Sequence, residues 1–197
     1  MASLLAPVLA GCGSEQGAVA PGAGGESETS DGLACTIPRD EIADGGVGRD
    51  GIPALSNPPL VAPDDPAAGY VRPGDRVLGM ELGGTAVAVP HNILWWHEIV
   101  NLDLGGEHVA VTYCPLTGSG LVFDRSAVGG TEFGVSGLLF RSNLIMFDEE
   151  TESLFPQMMR QAACGPERSQ RLRLTPVREM RWEAWRELHP DGLVVSD

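Results

Sequence analysis

The sequence lacks the spaced ligand sets that announce the commonest sites. It has no CxxC pair and no Cys/His ladder, so a structural zinc site has little support. It has no GxGxxG and no Walker A loop, so nothing points to a nucleotide fold. No clustered His, Asp and Glu set marks a zinc hydrolase. Positive charge is scarce: 13 basic residues stand against 27 acidic ones, for a formal net charge of −14. That argues against nucleic acid as a partner, since phosphate binding needs a basic patch. It also gives an anionic membrane surface no electrostatic hold. A field of this sign draws cations, or merely keeps the chain soluble. Internal repeats are absent. Beyond the N-terminus no hydrophobic run reaches transmembrane length.

The composition itself is that of a globular protein, with 43% hydrophobic and 20% charged residues in 197. Roughly 160 residues follow a low-complexity start, one domain's worth. The first twelve residues end Leu9-Ala10-Gly11-Cys12, which resembles the bacterial lipobox. In such signals the bond before the cysteine is cut and Cys12 receives the lipid. Small residues at Ala10 and Gly11 suit a peptidase that reads small side chains. Residues 13–33 are rich in Gly, Ala, Ser and Glu, the composition of a flexible tether. The expected order is therefore a signal segment at 1–12, a tether at 13–33 and one globular domain at 34–197. The expected location is the cell envelope, held to a membrane through Cys12. A cytosolic tail with a chance LAGC is the alternative.

Turn signals dominate up to Asp75. Strand signals then arrive in series. Arg76–Leu82 and Thr85–Val89 flank Gly83-Gly84 as a hairpin. His91–Val100 reads as one or two helical turns and Asn101–Gly106 as a turn. His108–Cys114 and Leu121–Phe123 are strands, followed by Glu132–Val135 and Leu144–Asp148. Arg171–Leu174 alternates like a strand. Arg181–Leu188 is a helix with Trp182, Trp185 and Leu188 on one face. Leu193–Val195 is a last strand. Many short strands with Gly and Pro turns predict a mainly β fold, an antiparallel sheet or small barrel, with two short helices. An α+β arrangement is the nearest alternative.

Chemistry concentrates between His97 and Arg125. The strand into Tyr113 ends at Cys114, Pro115 stops the ladder, and Thr117-Gly118-Ser119 turns the chain. Amide N–H groups of that turn could lower the pKa of a Cys114 thiolate; the competing reading is a buried, hydrophobe-like cysteine. His97 with Cys114 could be a base and nucleophile or two ligands of a soft or borderline metal. Met146 would complete a Cys/His/Met set of the kind that holds copper, or is plain core. His91, six residues from His97, is peripheral. Thr117, Ser119 and Trp96 are candidate substrate contacts, unless the hydroxyls only bond their own turn. Asp124-Arg125 and Asp148-Glu149 read as loop ion pairs. In an exported chain Cys35 and Cys164 could form a disulfide, although either could instead pair with Cys114.

Several stretches carry a family resemblance: Asp50–Leu55, Trp96–Asn101, Val111–Ser119, Phe133–Leu138, Met146–Asp148 with Thr151–Leu154, and Trp182–Trp185 with His189-Pro190. Over residues 50–197 the chain resembles the bacterial and archaeal family catalogued as domain of unknown function 3179. The resemblance implies export or lipid anchoring and brings no assigned reaction. Many members have Cys-Pro-Leu-Cys where this chain has Cys114-Pro115-Leu116-Thr117, so a two-thiol ligand across that turn is impossible here. The functional expectation is an exported, lipid-anchored domain whose Cys114/His97 pocket binds a transition metal such as copper or does thiol redox chemistry. The alternative is a non-catalytic binding or structural module of the envelope.

Overall fold

The computed structural model describes residues 27–28 and 34–196. The signal segment with Cys12 and most of the tether expected at 13–33 lie outside the described residues. Within that stretch Ser27–Glu28 pairs antiparallel with Ala34–Cys35.

Paired glycines set the first hairpins. Gly83 and Gly84 take φ of 55° and 82° between Arg76–Leu82 and Thr85–Pro90, the left-handed pair that a two-residue hairpin needs. Gly105 and Gly106 repeat this, at 60° and 82°, between Ile99–Leu104 and Glu107–Cys114. The two hairpin tips touch: a Cβ on Gly83 would lie 2.5 Å from the Cα of Gly105. The turn expected over Asn101–Gly106 is thus confined to its two glycines. Asn101 is strand because its buried amide donates to the Phe133 carbonyl at 3.0 Å and accepts from the Phe133 N–H at 3.0 Å.

Among the described residues, and beside that two-stranded pair, the strands form three open sheets, none closed into a barrel. The middle sheet runs in the order Arg173–Leu174, Ser119–Asp124, Glu107–Cys114, Ile99–Leu104, Leu55–Ser56. A second runs Leu154–Pro156, Asn143–Asp148, Phe133–Phe140, Ile42–Asp44. A third runs Arg178–Arg181, Arg76–Leu82, Thr85–Pro90, Leu193–Val195, Leu60–Val61, with Leu193–Val195 parallel to its Thr85–Pro90 neighbour.

Side-chain alternation places the middle sheet between the other two. One of its faces sends Val100, Leu102, Val109, Val111 and Val122 into a core shared with Leu78, Met80 and Val87 of the third sheet. The other sends Ile99, Ala110, Cys114 and Phe123 against Phe133, Val135 and Met146 of the second. Helix α1, His91–His97, adds Ile93 and Leu94 to the first core. Helix α2, Trp182–Leu188, covers the outer face of the third sheet with Trp182 and Trp185. Leu188, expected on that face, is exposed; the ring of His189 lies 4.0 Å from that of Trp185 instead. The Arg178–Arg181 strand has no sequence signal, because it is a charged edge strand with little burial.

Cys35 and Cys164 are joined by a disulfide beside Ile37 and Ala163. Cys114 is the free thiol among the described cysteines.

Candidate functional site

The Cys114–Ser119 turn closes a hairpin in which Cys114 pairs with Ser119. Gly118, at φ 63°, completes the reversal. The amide N–H groups expected to face the sulfur are otherwise engaged. Those of Thr117 and Gly118 donate to the Cys114 carbonyl at 3.3 and 2.9 Å. The side chain points into the second-sheet core, 1% exposed, with its sulfur 4.0 Å from the Ser142 carbonyl. Met146 belongs to the same cluster and is fully buried. So the fold brings Cys114 and Met146 into one apolar region.

His97 ends α1, and its Nδ1 donates to the Pro53 carbonyl at 2.8 Å. That bond ties α1 to the Asp50–Leu55 segment. His91 packs its ring 4.5 Å from Tyr113, and burial lowers its pKa despite the nearby Glu179 carboxylate. Among the described residues no group of three or more His, Cys, Asp and Glu could hold a metal ion.

Thr117 and Ser119 belong to a polar cluster beneath the turn. Their hydroxyls lie 2.8 Å apart. Asn143 Nδ2 is 2.9 Å from Thr117 Oγ1, Ser119 Oγ and Gln157 Oε1. The Ser119 hydroxyl donates to Gln157 Oε1 at 2.9 Å, and Gln157 Nε2 donates to Thr112 Oγ1 at 2.9 Å. Asn143 and Gln157 are buried, and such a cluster stiffens the turn from below. The sequence offered one signal for them, a carboxamide set beside each apolar run.

Two residues read as members of loop ion pairs, Arg125 and Asp148, have other duties. Arg125 is fully buried and pairs with Asp103, with a second bond to the Gly130 carbonyl at 2.7 Å. Burial would raise the Asp103 carboxyl, but hydrogen bonds from His108 and Asn57 and the Arg125 charge outweigh it and hold the pKa low. Asp148 is buried and accepts the N–H of Thr151 at 2.7 Å and that of Ser153 at 3.2 Å, shaping its own turn.

The open feature of this region is a cleft of about 190 Å³ beside the turn, lined by Ile52, Pro115, Leu116, Leu138, Leu139 and one carboxylate, Glu98. Glu98 caps α1 with φ 55° and ψ −33°, a conformation that L-residues disfavour. It is held there by its N–H to the Leu94 carbonyl, 2.9 Å, and by the Tyr113 N–H to its own carbonyl, 2.7 Å. Burial alone pushes its carboxyl above the ordinary 4.5. Leu116, at the cleft wall, is 70% exposed, and Trp95 and Trp96 on α1, the helix that Glu98 caps, are 57% and 72% exposed. Glu98 lies inside the Trp96–Asn101 motif, where the sequence assigns it no role. Its one signal was a carboxylate set between buried Leu94 and buried Ile99.

No curated protein and no solved structure matches the chain. Residues 49–197 match the family described as Protein of unknown function (DUF3179), about three-quarters of the chain, and the chain belongs to that family.

Proposed function

We propose that the chain is an exported, lipid-anchored binding module, held to a membrane at Cys12, that recognises its partner at the cleft beside the Cys114–Ser119 turn. One observation carries the choice. Large apolar side chains near the turn reach solvent, Leu116 at the wall of an apolar cleft and Trp95 and Trp96 on the helix that ends beside Glu98 of the same cleft, while Cys114 is sealed in the core. Exposed aromatic and aliphatic side chains grouped on a rigid frame are the composition of a recognition surface. Trp96 contacts the partner; Thr117 and Ser119 hold the turn in shape through Asn143 and Gln157. The disulfide between Cys35 and Cys164 supports the exported reading.

Titration of isotope-labelled protein with small aliphatic and indole fragments tests the site. Amide shifts should gather at Gly45, Leu116, Leu138 and Leu139 and weaken in Trp96→Ala. Shifts that gather elsewhere, or none at all, would remove the reading.

A second reading is a copper or thiol redox centre at Cys114, His97 and Met146. The shared cluster of Cys114 and Met146 favours it; the burial of the thiol weighs against it. Metal content of untagged protein, measured by mass spectrometry beside Cys114→Ser, separates the two. Stoichiometric metal lost in the variant establishes a metal centre, and absence of metal from both, together with a Cys114 thiol that does not react, removes the reading.

A further inference from the structure

Resting on the binding reading above, we propose that the cleft at Glu98 receives a lysine side chain presented by a partner protein. The carboxylate is half-buried, and among the described residues neither a cation nor a side-chain donor pairs with it. A carboxylate that has lost part of its hydration regains the loss only from a donor or cation that a ligand brings. The walls leading to it are aliphatic: Ile52, Pro115, Leu116, Leu138 and Leu139. Such a wall suits a methylene stem, and the carboxylate suits the ammonium at its end. The volume, about 190 Å³, is that of one long side chain. The net charge of −14 draws a cationic segment towards this surface.

The occupant comes from another protein. All 13 basic residues of this chain are arginine and none is lysine, so a second copy has no alkylammonium side chain to offer. The backbone supports the same reading. At φ 55°, Glu98 is held by two main-chain hydrogen bonds, its N–H to Leu94 and its carbonyl to the Tyr113 N–H. The two bonds hold fixed the main chain from which the side chain meets the cleft, a pre-organised base for a receptor site.

The test uses Nα-acetyl-lysine methylamide, with its Nε-acetylated form, norleucine methylamide and the arginine equivalent as comparisons. Binding is read from the amide shifts of Leu116 and Leu138. The lysine compound should bind at least about tenfold more tightly than the Nε-acetylated and norleucine compounds, and Glu98→Gln should erase that difference. Its affinity should also fall as acid protonates Glu98. Equal binding of lysine and norleucine compounds would overturn the lysine assignment while leaving the cleft a binding site. Equal binding of the arginine compound would overturn the choice of lysine. An unchanged preference in Glu98→Gln would remove the role of its carboxylate. No shifts with any of the four would overturn both this inference and the binding reading.

Discussion

Glu98 bears two costs at once, a strained backbone and a carboxyl that burial makes hard to ionise. The sign of its pH effect follows from linkage. A carboxyl whose folded pKa is raised binds more protons in the folded state over that interval, so its contribution is full below the unfolded pKa and is lost as pH rises through the folded one. Glu98→Gln should therefore melt at a higher temperature than wild type near pH 7. The gap should close as pH falls below the ordinary value of 4.5. Thermal melts across that range check this, and a gap independent of pH would refute it. His91 acts in the opposite direction. Burial lowers its pKa, so the protein should lose stability as pH falls through and below the ordinary histidine value of 6.5. His91→Gln melts should show a weaker dependence there. Neither residue announced its state in the sequence, because burial of a charge depends on what packs over it.

At the scale of elements, the Gly83-Gly84 hairpin was legible because a Gly-Gly pair imposes its geometry on flanking apolar runs, whereas the strand Ile99–Leu104 before Gly105-Gly106 was not, and Ile99-Val100 read as helix. The packing of α2 on the third sheet was not legible either. A Cβ on Gly79 would lie 2.2 Å from Cζ3 of Trp185, so the glycine exists to let the indole lie on the strand. Gly79→Ala should cost about 1–3 kcal/mol by overpacking and lower the melting temperature by roughly 2–12 °C. The double variant Gly79→Ala/Trp185→Leu should lose less than the sum of its two parts. Strict additivity would show that the two residues do not share the strain. The strand at Arg178–Arg181 and the exposure of Leu188 follow from the same assembly of sheet, strand and helix, which local periodicity does not encode.

At the scale of the whole molecule, the disulfide links residues 129 apart in sequence and fastens the early wrap to the body. A loop of that size restricts the unfolded chain strongly; the chain-entropy model puts the effect at about 5 kcal/mol. Calorimetry of Cys35→Ala/Cys164→Ala should therefore show a melting temperature lower by on the order of 10 °C. A loss of only a degree or two would mean that the wrap is held by packing alone. The three stacked sheets cover the middle strands on both faces, so apolar residues at successive positions, such as Ile99-Val100 and Val109-Ala110-Val111, are buried on opposite sides.

The sequence by itself determined the β-rich class, the Gly83-Gly84 hairpin, the position of the Cys114–Ser119 turn and the family. Each of these is written in short-range features: glycine pairs, alternation, proline stops and motif spacing. Tertiary structure decided the rest. It turned Cys114 inward, closed the polar cluster of Asn143 and Gln157 beneath the turn, bonded His97 to Pro53, and left Glu98 at an open cleft. The reason is physical: hydration, charge pairing and access depend on neighbours far away in sequence. Short-range features can say which side chains gather, but only the packed fold fixes which of them meet solvent.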